Sequence, residues 1–152
     1  MKFSKLIVDR YAEKIDLDFS KIQETAILKS ILSRRSIRKF LNKPISKELL
    51  TLLLAASQSA PSKSNLQQYS ILVIQDQNIK NEISDLIGNT KWALTAPIFL
   101  LYLADIRRNI KITNDRGYDH KNNNVDTFIN SVIDAALAMQ STICAAESIG
   151  LG

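Results

Sequence analysis

From Asp126 to Ile149 the chain carries one long helical pattern, and across VIDAALAMQSTICAA nearly every face bears an apolar or small side chain. A helix patterned in this way has to be covered on all sides. The chain has 152 residues, 45% of them apolar, which is enough for one compact domain with a core and too few for two ordinary ones. The other elements of so small a domain cannot wrap this helix completely. The pattern therefore predicts that part of its surface meets a second subunit.

The rest of the chain supplies the covering elements. Apolar residues three and four apart predict helices over Phe3–Ile15 and Ser20–Leu32. Ser46 is placed to cap KELLTLLLAASQSA, a helix that stops at Pro61. After the polar loop PSKSNLQQ, the β-branched run YSILVIQD predicts a strand, and NIKNEISDLIGN predicts a helix ending at Gly88. PIFLLYLAD, Pro97 to Asp105, reads as a second, buried strand. The Asn-, Asp- and Gly-rich stretch from Arg107 to Asn124 reads as a loop, mobile or a lid.

Composition excludes several kinds of chemistry. One cysteine, Cys144, cannot close an intramolecular disulfide, and charge interrupts the N-terminal residues before they could form a signal sequence or membrane span. A reducing cytoplasm and no membrane partner are expected. His120 and Cys144 give no zinc spacing, and there is no GxxxxGK, no GxGxxG after a strand and no nucleophile elbow. Cys144 and Trp92 read as packing residues, and Glu147 has no role that the sequence assigns.

The net charge of +5 is concentrated: Arg34, Arg35, Arg38, Lys39, Lys43 and Lys47 fall within fourteen residues that contain no acid. Arginine suits phosphate because its planar fork donates two parallel hydrogen bonds and stays charged. Arg34, Arg35 and Arg38 with the Ser36 hydroxyl could grip one phosphate group; a solvated basic face is the competing reading. A nucleic-acid patch lacks interleaved aromatics, and no nucleic-acid partner is expected. In the second loop, Pro61, Ser62, Ser64, Asn65 and Gln67 offer hydroxyls and amides suited to the polar edge of a heterocycle, or simply form a turn.

RRSIRKFLNKPIS, then a helix, then AAxxAPSxxNxQ before an apolar strand, and finally DAALAMQSTICAAESIGLG together resemble the FMN-dependent nitroreductase family from Ile31 to Gly152. The resemblance implies an α+β fold with a mostly antiparallel central sheet flanked by helices and a long central helix at a homodimer interface. It divides the chain into a helical arm, residues 1–30, which would wrap the partner, and a nitroreductase-like domain, residues 31–152. It implies FMN as cofactor, with Arg34, Arg35, Ser36 and Arg38 on its phosphate and ribityl chain, Pro61, Ser62, Ser64 and Asn65 approaching the flavin from the partner subunit, and Gln67 near the ring. The implied reaction passes a hydride from NAD(P)H through the flavin to a nitroaromatic, a quinone or a similar small electron acceptor in two steps. The cofactor carries this chemistry, so no acid/base residue is expected.

The sequence departs from the family pattern at Gln68 and Tyr69, where members often have proline and an aromatic. In the family GLG leads on to a loop, a strand, a helix and further basic residues. The expectation is therefore a C-terminally truncated member that binds FMN weakly or not at all unless the remainder is supplied elsewhere. Alternatives are an inactive flavin-binding or dimerising remnant and a flavin-destroying or dehalogenating relative.

Overall fold

The structure, a computed structural model, describes residues 3–14, 16–88 and 90–152. These residues divide into two compact units, one formed by residues 1–37 with 143–152 and the other by residues 38–142.

The larger unit begins with α3 (Lys47–Gln58), numbered after two helices of the other unit. The Ser46 hydroxyl accepts from the Leu49 N–H at 3.2 Å, which satisfies one of the donors that the first turn leaves unpaired. The strands β1 (Tyr69–Ile74) and β2 (Phe99–Ala104) follow the two apolar runs and pair antiparallel, Tyr69 opposite Ala104 and Ile74 opposite Phe99. Between them lie α4 (Gln77–Leu86) and the short α5 (Lys91–Thr95). Asp76 caps α4 through Asn78 N and Ile79 N, at 2.9 and 3.1 Å. The sequence pattern did not anticipate α5, whose Trp92 stacks obliquely on Phe40 with ring centroids 6.3 Å apart.

Arg107–Asp115 is helical, α6, so the loop expected over Arg107–Asn124 is confined to residues 116–124. Its polar composition concealed the helix. Asp105 Oδ1 receives the Arg107 N–H at 3.0 Å at its start, and Lys111 pairs with Asp115 one turn later at 3.0 Å.

The long helix α7 spans Val125–Ser148, close to the expected limits. Asn124 accepts from the Thr127 N–H at 2.9 Å at its start. Its end is a left-handed glycine turn in which Gly150, at φ +80°, lets Leu151 N reach Ala146 O and Gly150 N reach Glu147 O. The chain leaves part of α7 uncovered, as the sequence pattern predicts for so small a domain. Thr127, Ser131, Asp134, Ala135, Ala138 and Thr142 face inward, whereas Phe128, Ile129, Val132, Ile133, Leu137 and Met139 remain exposed. The inward stripe is small and polar because it meets other backbone closely. Ala138 and Ala135 pack with Tyr69, Ala60, Ile71 and Tyr102, the Ser57 hydroxyl donates to Ala138 O at 3.1 Å, and the Tyr102 hydroxyl donates to Thr142 Oγ1 at 2.6 Å.

The smaller unit holds α1 (Phe3–Tyr11) and α2 (Ala26–Ser33), with the end of α7 from Ile143 onward. Phe3 and Leu6 are its buried anchors. Ile15, the expected end of the first helix, lies outside the described residues; α1 has already ended at Tyr11, before Ala12 turns left-handed at φ +58°. The second helix starts at Ala26 rather than Ser20. The Asp18 carboxylate binds both the N–H and the hydroxyl of Ser20 at 2.8 Å, a local alternative to helix, and Thr25 then supplies the cap at 3.3 Å.

Candidate functional site

The polar loop before β1 is the most constrained irregular segment of the larger unit. Ser64, Asn65 and Gln67 all have positive φ, between 49 and 54°. Non-glycine residues adopt this region at a cost, so three within four positions persist only if other interactions impose them. Those interactions come from three directions. Asp134 of α7, 1% exposed, accepts from Lys63 N at 3.0 Å and Gln68 N at 3.1 Å, clasping both ends of the loop with one carboxylate. The Ser62 hydroxyl accepts from Gln67 N at 3.2 Å inside it. From α6, Arg108 donates to Gln67 O and Asn109 Nδ2 to Leu66 O at 2.9 Å.

This loop forms one wall of a cavity of about 700 Å³, whose other walls come from α6, residues 116–124 and the start of α7. Ser64, Asn65 and Gln67 line it, and Gln67 Nε2 donates to Asn65 Oδ1 at 3.1 Å. Asn109 and His120 also belong to its lining, and among the described residues Asn109 Oδ1 and His120 Nε2 are buried without a hydrogen-bond partner. Lys63, Arg108 and Arg116 face it, and among the described residues Asp126 is the one acid in the lining. The cavity thus presents amide and hydroxyl groups within a cationic surround, suited to a polar, electron-rich ligand. Ser62 is half-buried, while Pro61 and Arg38 are exposed and outside the lining. Gln68 and Tyr69, the departures from the family pattern, are buried where the loop passes into β1.

Asp105 fixes the far side of this arrangement. It receives Ser70 Oγ at 2.6 Å and Arg107 Nη2 at 2.8 Å, joining the start of β1 to the start of α6. The Arg107 guanidinium, and after it the Ser70 hydroxyl, hold its carboxyl well below the usual carboxylate range. Because the folded-state value is depressed, its contribution to stability is full above the unfolded value near pH 4 and is lost only as pH falls through the lower folded value. Urea unfolding from pH 7 to pH 2 is expected to show Asp105→Asn less stable than the parent chain at neutral pH, with the difference narrowing below about pH 4.

The other residues expected to bind the cofactor lie in the smaller unit. Arg34, Arg35 and Ser36, with Asp9, Arg10 and Tyr11, line a cleft of about 420 Å³. Arg34 Nε lies 3.3 Å from Glu147 Oε1, which gives Glu147 the partner that the sequence left unassigned. Among the described residues no three His, Cys, Asp or Glu side chains gather as a metal site. Sequence reasoning missed Asp134, Arg108 and Asn109. A lone acid within VIDAALA was the signal available for the first; nothing local marks the other two.

The chain matches the Nitroreductase family over residues 31–152, and it belongs to that family. It is 38% identical over 129 residues to an FMN reductase [NAD(P)H] of Bacillus subtilis, covering 83% of this chain and 51% of that protein. An oxygen-insensitive NADPH nitroreductase of Salmonella typhimurium is 31% identical over 80% of this chain and 49% of its own length. Among solved structures, the NADPH:FMN oxidoreductase of Vibrio harveyi complexed with NAD+ superposes with a TM-score of 0.78 at 31% identity, over 84% of this chain and 54% of that one. A B. subtilis nitroreductase superposes at 0.80 and 35% identity, over 83% of this chain and 52% of that one. The chain thus spans about half the length of the relatives it matches. The α+β fold expected from the motifs is the fold of these structures.

Proposed function

We propose that the chain works as an NAD(P)H-dependent flavin oxidoreductase with FMN as its cofactor, reducing nitroaromatics, quinones or similar small acceptors in two alternating half-reactions. The observation that carries this reading is the Ser62–Gln68 loop, held in an unfavourable backbone conformation by a buried carboxylate beside a cavity, in a chain whose relatives are named for FMN and NADPH.

The residues fit the cofactor in two respects. The guanidiniums of Arg34 and Arg35 and the Ser36 hydroxyl share one cleft, and these residues with Arg38 would hold the phosphate and ribityl chain. Pro61, Ser62, Ser64 and Asn65 would approach the flavin from the partner subunit, and Gln67 would lie near the ring. FMN, when bound, would supply the two-electron redox chemistry between NAD(P)H and the acceptor. The protein's part is positioning: Asp134 keeps the loop from relaxing, and the cations around the cavity favour electron-rich ligands. The exposed face of α7 is the surface through which two chains would associate. A reducing cytoplasm suits such an enzyme.

The test is the visible absorption spectrum of the purified chain, with identification of the flavin that heat releases. FMN bound at purification or taken up when added, followed by NAD(P)H oxidation with parallel double-reciprocal lines against a quinone, supports the proposal. A colourless protein that ignores added FMN overturns the proposal. FMN binding without turnover favours an inactive flavin-binding form.

A further inference from the structure

We propose that Arg10, on α1 and outside the family-matched residues, is a further phosphate-binding residue of the cleft formed by Arg34, Arg35 and Ser36. The inference rests on the reading of that cleft as the site of the FMN phosphate.

Arg10 Nη1 and Arg35 Nη1 donate to the same acceptor, the carbonyl oxygen of Arg34, at 2.8 and 2.9 Å. Two guanidiniums are therefore brought side by side at the cleft, although like charges repel at short range. Arg35 is further fixed by its second contact, Nη2 to Asp9 O at 3.4 Å. The arrangement makes α1 and the residues after α2 a mutual clamp, each side giving an arginine to the other's backbone or to a shared carbonyl. Asp9 is the one acid in the lining, set against Arg10, Arg34 and Arg35, and the Arg34 charge is already met by Glu147. A phosphate group offers what this cluster lacks: several acceptor oxygens and a negative charge between the two forks. Arg10 has the capacity to answer it, since the bond to Arg34 O uses one of its five N–H groups.

The competing role for Arg10 is a tether. It lies in the last turn of α1, where a cation also favours the helix dipole, and its bond to Arg34 O could do no more than hold the arm in place. A tether and a phosphate ligand respond differently to a flavin that lacks the phosphate. The experiment uses the full chain with Arg10→Ala and Arg10→Lys, and measures the affinity of FMN and of riboflavin by quenching of flavin fluorescence. Modification of Arg10 by phenylglyoxal, followed by mass spectrometry with and without inorganic phosphate, gives a readout that needs no flavin.

Arg10→Ala is expected to weaken FMN about tenfold while leaving riboflavin within about twofold, since a hydrogen bond to a charged group is being removed. Arg10→Lys is expected to recover part of the loss, and phosphate to slow modification of Arg10 in the parent chain. Equal weakening of FMN and riboflavin, or no effect on either, overturns the inference, as does modification that phosphate leaves unchanged. If the parent chain binds neither flavin, the functional reading fails on its own, and protection of Arg10 by phosphate then decides whether the anion cleft stands.

Discussion

Asp134→Ala is expected to destabilise the chain by about 2 to 4 kcal/mol, one of the largest single-residue effects away from the apolar core. The carboxylate is buried and accepts two backbone N–H groups that the loop cannot offer to water without coming apart. Hydrogen bonds to a charged acceptor contribute roughly 1.5 to 3 kcal/mol each, and the bond to Lys63 N, being only partly buried, lies at the low end. Removing the carboxylate also leaves the buried Gln68 N–H without an acceptor and releases Ser64, Asn65 and Gln67 from their left-handed conformations. Asp134→Asn keeps the volume and one acceptor oxygen but turns an amide donor toward a backbone donor, so it should lie between the parent and the alanine variant. Urea unfolding gives the stabilities, and FMN affinity should fall alongside them because the loop would no longer present its polar edge. An Asp134→Ala chain within about 0.5 kcal/mol of the parent would show that the clasp does not hold the loop.

The second large effect concerns the outward face of α7. Ile129, Val132, Ile133 and Leu137 lie three and four residues apart on one side of the helix and are between 38 and 49% exposed in the single chain. Large aliphatic side chains contribute about 1.5 to 3 kcal/mol each when fully covered, and a charge placed among them costs more than it returns unless it finds a partner. The parent chain is accordingly expected to sediment as a dimer, and Ile133→Glu to shift its dissociation constant by about a hundredfold or more, leaving a monomer at micromolar concentration. Leu86→Glu on α4, at a position 84% exposed, serves as the control and should leave association unchanged. A monomeric parent chain, or an Ile133→Glu variant as dimeric as the parent, removes α7 from the interface.

The two predictions differ in how far the sequence anticipates them. The outward face of α7 was legible, because a run as apolar as VIDAALAMQSTICAA cannot be covered by a chain of 152 residues. The Asp134 clasp was not. An acid inside an apolar helix announces that something unusual is buried there, but its partners lie 66 and 71 residues away, and no local pattern names them. The candidate phosphate cleft shows the same division. Arg34, Arg35 and Ser36 were singled out by their density in the sequence, whereas Arg10, an ordinary basic residue in a mixed stretch, enters through a bond to a carbonyl 24 residues away.

The sequence by itself determined the elements whose signals are local. Ser46 and Asp76 start α3 and α4, the β-branched and apolar runs form β1 and β2, and Gly150 turns the chain after α7. Caps and periodicity act within one or two turns of backbone, so a short window contains all the physics they need. Tertiary structure decided the rest. It made α6 a helix despite its polar composition, set the small and polar stripe of α7 inward, and held three non-glycine residues left-handed beside the cavity. Each of these depends on a polar group finding a partner far along the chain, and burial makes leaving that group unpaired more costly than the local strain it imposes.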